Sequence, residues 1–205
     1  MIKEKLLLAT TNQGKAKEIL SYLSDLCITI FTLKDIDQTG FFKEDKKSFR
    51  ENARGKSLFY SKFWPNLTIA EDSGLEIEHL NGAPGVLSAR FSEPQATDEK
   101  NIQKVLELMK GVPFEKRKAR FVSCFVLSQK GKILKEIIEY VEGFIAFDKK
   151  GRYGFGYDPI FFYPPLRKTF AELLPEEKNR VSHRGRSLKK LKVFLGGYLD
   201  LTPKA

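Results

Sequence analysis

Cysteine is scarce in this chain: 205 residues contain two, Cys27 and Cys124. They stand far apart and neither has a partner at CxxC spacing, which excludes a thiolate metal centre of that kind and predicts reduced, buried thiols without chemistry of their own. Long apolar runs are missing as well. Near the start only residues 6–9 are continuously apolar, and Thr10, Thr11 and Asn12 end that run short of a signal peptide or a membrane span. The expectation is a cytoplasmic protein with no membrane partner. No internal repeat or low-complexity linker divides the sequence, so one domain over residues 1–205, long enough for a real core, is the starting point.

What is present fits a folded globule: 41% of residues are hydrophobic, with 17 Phe and 7 Tyr. The formal charge of +10 attracts polyanions. Charge alone does not choose among nucleic acid, anionic membrane and phosphorylated small molecules, and a lysine-rich composition also serves solubility.

Residues 6–11 read as a buried strand, after which Ala16, Ile19, Leu20, Leu23 and Leu26 recur at helical spacing over 15–26. Residues 27–32 resume an extended pattern, and a polar loop carrying Glu44 and Asp45 runs on to Lys47. Ser48 and Glu51 have the spacing of a capping box, which predicts a helix over 49–63 with Asn52 and Lys56 one turn apart. Residues 67–70 look like a short strand with the acidic pair Glu71 and Asp72 at its edge, and 75–80 as its continuation or a partner. Thr97 is placed to cap a helix whose Ile102, Val105, Leu106 and Met109 form a stripe ending at Gly111. Residues 120–127 and 133–141 predict an antiparallel hairpin turned around Gly131. Residues 160–163 add a strand, and Ser182 begins a last helix that buries Leu188, Leu191, Leu195 and Leu199. The pattern predicts an α/β fold with a mixed sheet.

Four groups of residues could carry chemistry. Thr10, Thr11, Asn12, Gln13, Gly14 and Lys15 lie between a strand and a helix N-terminus, where backbone N–H groups, the helix dipole and the lysine charge favour phosphate. The GxxxxGK spacing of a Walker A loop is absent, and an ordinary N-cap turn has the same pattern. Glu44, Glu71 and Asp72 offer hard oxygens that suit Mg2+, an ion commonly shared between one or two carboxylates and substrate phosphates; a solvated acidic turn is the plain alternative. Adjacent side chains in a strand point to opposite faces, so Glu71 and Asp72 can serve one site only if the strand bends or ends there, and Gly74 allows a bend. Lys56, Lys178, His183 and Arg184 could neutralise a triphosphate or hold its base and sugar, or simply be solvated. Within Phe155, Gly156, Tyr157 and Asp158, a ring could stack on a base and the carboxylate accept a base N–H, unless the aromatics pack into the core.

Six blocks, in order, resemble the inosine triphosphate pyrophosphatase family, also called the Ham1 family. They are TTNQGK at 10–15, SFRENARGKS at 48–57, EDSGL at 71–75, GAPGVLSARF at 82–91, GFGYDPIF at 154–161 and EEKNRVSHRG at 176–185. The resemblance spans nearly the whole chain. It implies an α/β fold with an elongated central mixed sheet flanked by helices, two lobes with an active-site cleft between them, and a homodimer. The implied activity is Mg2+-dependent hydrolysis of deaminated purine nucleoside triphosphates such as ITP, dITP and XTP to the monophosphate and pyrophosphate, which cleanses the nucleotide pool. By position, Thr10 to Lys15 would bind the triphosphate together with Lys56. Asp72 and Glu44 would hold Mg2+ with Glu71 nearby, Asp72 would be the general base, and Ser73 would contact substrate. Phe155, Gly156, Tyr157, Asp158, Lys178, His183 and Arg184 would form the nucleoside pocket.

The family often has two aspartates where this chain has Glu71 and Asp72, and Gly55 sits inside the helix before Lys56 at a cost of about 1 kcal/mol relative to alanine. A nucleic-acid-binding protein is the competing class, motivated by charge and aromatics. The acidic EDSG segment opposes it, because carboxylates in a phosphate-binding groove make sense chiefly with a metal, so no stable nucleic acid partner is expected. A pyrophosphatase acting on pyrimidine or modified nucleotides stays open.

Overall fold

Leu6, Leu7, Leu8 and Ala9 are all fully buried, the pattern of a strand covered on both faces. In the computed structural model, which describes residues 4–36 and 40–199, this run belongs to β1 (Glu4–Ala9). It pairs in parallel with β2 (Ile28–Thr32) and with β3 (Leu67–Ile77). Parallel neighbours need a crossover. The first is α1 (Gln13–Leu23), and α2 (Phe49–Tyr60) lies between β2 and β3. Ser48 caps α2 as its spacing predicts: its Oγ accepts the Glu51 N–H at 3.2 Å and lies 3.0 Å from the Glu51 carboxylate. Residues 61–63, expected in the helix, form a turn instead.

The capping threonine also holds: Thr97 Oγ1 accepts the Lys100 N–H and starts α3 (Asp98–Leu108). The hairpin is longer than its apolar pattern, with β4 (Lys118–Gln129) and β5 (Lys132–Ile145) joined by Lys130 and Gly131, both at positive φ (48° and 74°), the geometry a two-residue hairpin turn requires. β6 (Phe161–Tyr163) and β7 (Lys168–Thr169) continue the sheet antiparallel, followed by α4 (Pro175–Val181) and α5 (His183–Tyr198). The seven strands run in the order β2-β1-β3-β4-β5-β6-β7, a mixed sheet.

The chain divides into two units, Met1–Asp72 with Ser123–Glu139 and Arg184–Ala205, and Ser73–Val122 with Tyr140–His183. In the first unit the side-chain alternation of the strands assigns each face its own cover. Leu6, Leu8 and Ile69 pack with Ile19 and Leu23 of α1 and with Leu188, Leu191 and Leu195 of α5. Leu7, Ala9 and Ala70 pack with Tyr60 of α2. In the second unit Leu75, Ile77, Phe121 and Val141 pack with Ile102 and Val105 of α3, with Met109 just after it, and with Phe161 and Phe170.

Three expectations are corrected. The strand does not end at the acidic pair: β3 runs from Leu67 through Glu71 and Asp72 to Ile77, although its register with β1 stops at Ala70. Gly74 does not end the strand; it permits close approach, because a Cβ there would meet Ser88 Oγ at 2.2 Å and the Gly85 carbonyl oxygen at 2.8 Å. Only one thiol is buried. Cys124 is enclosed within β4, where burial pushes it up to about 12, whereas Cys27 is exposed in the turn before β2. Gly55 has a packing reason as well: a Cβ would meet the Phe42 ring at 2.4 Å, so the residue that weakens the helix also seats the loop carrying Glu44. Residues 37–39 of the expected polar loop lie outside the described residues. Among the described residues no helix is long and apolar enough to cross a membrane.

Candidate active site

The β1–α1 turn is built by its own side chains. Thr10 Oγ1 accepts the Asn12 N–H at 3.2 Å, and Asn12 Oδ1 accepts the Lys15 N–H at 3.0 Å as the α1 N-cap. Thr11, Asn12 and Gln13 are exposed at the positive end of the helix, with Gly14 following in its first turn. Lys15 turns back toward β3: its ammonium lies 2.9 Å from Glu71 Oε2 and 3.9 Å from Asp72 Oδ1.

Strand alternation decides what each carboxylate of the pair meets. Glu71 has the parity of Ile69 and meets the α1 and α5 side, where Arg184 Nη2 donates to it at 3.0 Å while Nη1 donates to Glu18 at 2.6 Å. Arg184 is 3% exposed and Glu71 0%. Burial works against the Arg184 charge, but Glu71 and Glu18 outweigh it and hold the guanidinium above its ordinary value. Asp72 has the parity of Ala70 and meets the α2 side, where Asn52 Nδ2 donates to its Oδ2 at 3.0 Å. One turn on from Asn52, the buried Lys56 ammonium pairs with Glu44.

Burial raises the Asp72 carboxyl above the usual carboxylate range; Lys15 and Lys56 oppose that rise, and the negative charges of Glu44 and Glu71 add to it. Among the described residues no three His, Cys, Asp or Glu side chains gather in a way that could hold a metal. The donor set nevertheless suits Mg2+. Asp72 and Glu44 are hard oxygen donors whose mutual repulsion a cation would relieve, and this ion commonly takes its remaining ligands from water and substrate phosphate.

In the second unit, Asp158 organises the glycine-rich loop. Its Oδ2 accepts the Phe155 N–H at 3.0 Å and the Lys178 ammonium at 2.5 Å, and that ammonium lies 5.0 Å from the centre of the Phe155 ring. Gly154 has no room for a side chain, since a Cβ would stand 2.1 Å from Asp158 Oδ2. The Tyr157 ring is a core residue whose hydroxyl donates to the Ser88 carbonyl at 2.8 Å, and burial raises that phenol above its usual value. Phe155 is half-buried and remains the ring suited to stacking on a base. His183 stacks on Phe121 with ring centres 4.7 Å apart, and Ser73 is half-buried in β3.

The model of the Ham1 family matches residues 6–194. The chain belongs to the Ham1 family. Similar Ham1 relatives include a dITP/XTP pyrophosphatase of Bacillus subtilis, 42% identical over 95% of this chain and 98% of its own length. A second, from Dictyoglomus thermophilum, is 46% identical over 97% of each. Solved Ham1 structures agree in fold. The HAM1 protein of Coxiella burnetii superposes with a TM-score of 0.85 at 37% identity, covering 95% of this chain and 99% of that one. The Ham1 protein of Staphylococcus aureus gives 0.84 at 36% identity, covering 95% and 100%.

Within this Ham1 chain the four expected groups are rearranged. Thr10 to Lys15, Glu44, Lys56, Glu71, Asp72 and Arg184 belong to the first unit, and Ser73, Phe155 to Asp158, Lys178 and His183 to the second. Of the basic group, Lys56 pairs with Glu44, Arg184 with Glu18 and Glu71, and Lys178 with Asp158. Two positioning residues escaped the candidate set. Asn52 had a signal in standing one turn before Lys56; Glu18, an ordinary charged position on α1, had none.

Proposed function

We propose that this chain hydrolyses deaminated purine nucleoside triphosphates (ITP, dITP and XTP) to the nucleoside monophosphate and pyrophosphate, clearing them from the cytoplasmic nucleotide pool. The observation that carries the reading is Asp72, a buried carboxylate oriented by Asn52 and facing the lysine that follows the phosphate-type turn. Family membership and relatives named dITP/XTP pyrophosphatase support it. The whole chain acts as one pyrophosphatase domain.

Residues Thr10 to Lys15 take the triphosphate on the amides of the α1 N-terminus, and Lys15 and Lys56 neutralise its charge. Ser73 contacts the substrate. Asp72 orients a water and removes its proton as the oxygen attacks the α-phosphorus; the bond to the bridging oxygen breaks and pyrophosphate leaves. Mg2+, held by Asp72 and Glu44 with substrate oxygens, supplies charge neutralisation on the phosphates when bound. Glu71, engaged by Arg184 and Lys15, supports the site from the other sheet face.

Phe155, Gly156, Tyr157, Asp158, Lys178, His183 and Arg184 serve the nucleoside, with Asp158 shaping the loop and anchoring Lys178. Hypoxanthine and xanthine carry an O6 acceptor where adenine carries an amino donor, so donors aimed at O6 are left unpaired by ATP. The backbone N–H groups of His183 and Arg184, in the first turn of α5, are assigned that task. The protein works as a homodimer, without nucleic acid or membrane partners, and should sediment at twice the chain mass.

Product and metal analysis tests this assignment. With Mg2+, ITP should yield IMP and pyrophosphate in equal amounts, and EDTA should stop the reaction. Release of inorganic phosphate, or an unchanged rate in EDTA, would remove the mechanism.

A further inference from the structure

The GFGYD loop carries two consecutive backbone amides whose acceptors are both carboxylates. The Phe155 N–H donates to Asp158 Oδ2 at 3.0 Å, and the Gly156 N–H donates to Asp98 Oδ2 at 2.7 Å. Asp158 is part of the loop, but Asp98 is 58 residues away in sequence, the first residue of α3. The rest of α3 explains why that carboxylate stays in place: Thr97 caps the helix, Ile102, Val105 and Met109 seat it in the core, and the carboxylate itself stands at the helix's positive end. Gly156 holds a positive φ of 59°, open to glycine, between two anchored residues: the Phe155 N–H donates to Asp158 and the Tyr157 hydroxyl to the Ser88 carbonyl.

We infer that Asp98 is a positioning residue for nucleoside recognition: by holding the Gly156 N–H it fixes the Phe155–Gly156 peptide and hence the Phe155 ring over Lys178. This rests on the reading of that loop as part of the nucleoside site. It also means that neither amide is a donor for the base, so the loop contributes ring and shape, and the selective donors lie elsewhere.

Asp98→Ala removes the acceptor, whereas Asp98→Asn keeps an acceptor oxygen while removing the charge from the helix end. With ITP, Asp98→Ala should raise KM about fivefold with kcat within about twofold, and Asp98→Asn should restore most of the loss. Inhibition by tripolyphosphate, which has no base, should be unchanged in both. Hydrogen exchange of the Gly156 amide should quicken in Asp98→Ala and not in Asp98→Asn. Equal effects of the two variants on KM and melting temperature would make Asp98 a helix-stability residue and overturn the inference, as would unchanged Gly156 exchange. The exchange experiment needs no substrate, so failure of the latch and failure of the pyrophosphatase reading are seen separately.

Discussion

Asp72→Asn should lower kcat for ITP by about 10³-fold or more while leaving nucleotide affinity within a few fold, since a positioned general base contributes roughly 10²–10⁴. The substitution is close to isosteric, and the amide oxygen can still accept from Asn52 Nδ2, which lies 3.0 Å from Asp72 Oδ2. What it loses is the proton acceptor, an anionic ligand for Mg2+ and one negative charge beside Lys15 and Lys56. Pyrophosphate release together with calorimetric titration of a non-hydrolysable nucleotide separates the two effects. Turnover within tenfold of the parent would take the base role away from Asp72.

Arg184→Met should be the most destabilising single change at the site, by about 3–5 kcal/mol, because removing one partner of a buried ion group leaves its counter-charges uncompensated. Methionine retains much of the apolar stem, so the loss is chiefly that of two carboxylate contacts, at 2.6 Å to Glu18 and 3.0 Å to Glu71. For a chain of this size the melting temperature should fall by roughly 10 °C. Lys15 remains 2.9 Å from Glu71 and limits the damage. Urea unfolding measures it. A change below about 1 kcal/mol would mean that the group behaves like a solvated surface pair.

Local signals were legible wherever a side chain answers its own backbone. Ser48 and Thr97 cap the helices their spacing announces, and the Leu188, Leu191 and Leu195 stripe is buried as its period requires. α4 and the two-residue β7 left no such mark: α4 starts at Pro175 after a leucine N-cap, and β7 is too short for a period. Polarity at 71–74 looks like a strand end, which leaves 75–80 as a continuation or a partner of 67–70; the structure has the continuation, as far as Ile77. Here β3 continues through Glu71 and Asp72, which take Arg184 of α5 and Asn52 of α2 as partners.

The candidate site was legible as residue types in order and illegible as pairings. No spacing rule connects Arg184 to Glu18, Lys178 to Asp158 or Asp98 to Gly156, because each pair is set by which helix covers which strand face or which loop a helix end meets. The alternation rule was sound. Glu71 meets Arg184 of α5 and Asp72 meets Asn52 of α2, while Lys15 reaches both carboxylates.

The central claim is substrate choice, and the most direct measurement is pyrophosphate release from ITP, XTP, GTP, ATP, dTTP and UTP at equal concentration with Mg2+. The account predicts that kcat/KM for ITP and XTP exceeds that for ATP by about 10²-fold or more, as expected when a buried donor loses its acceptor. Comparable rates on ATP, or a preference for pyrimidine nucleotides, would contradict it.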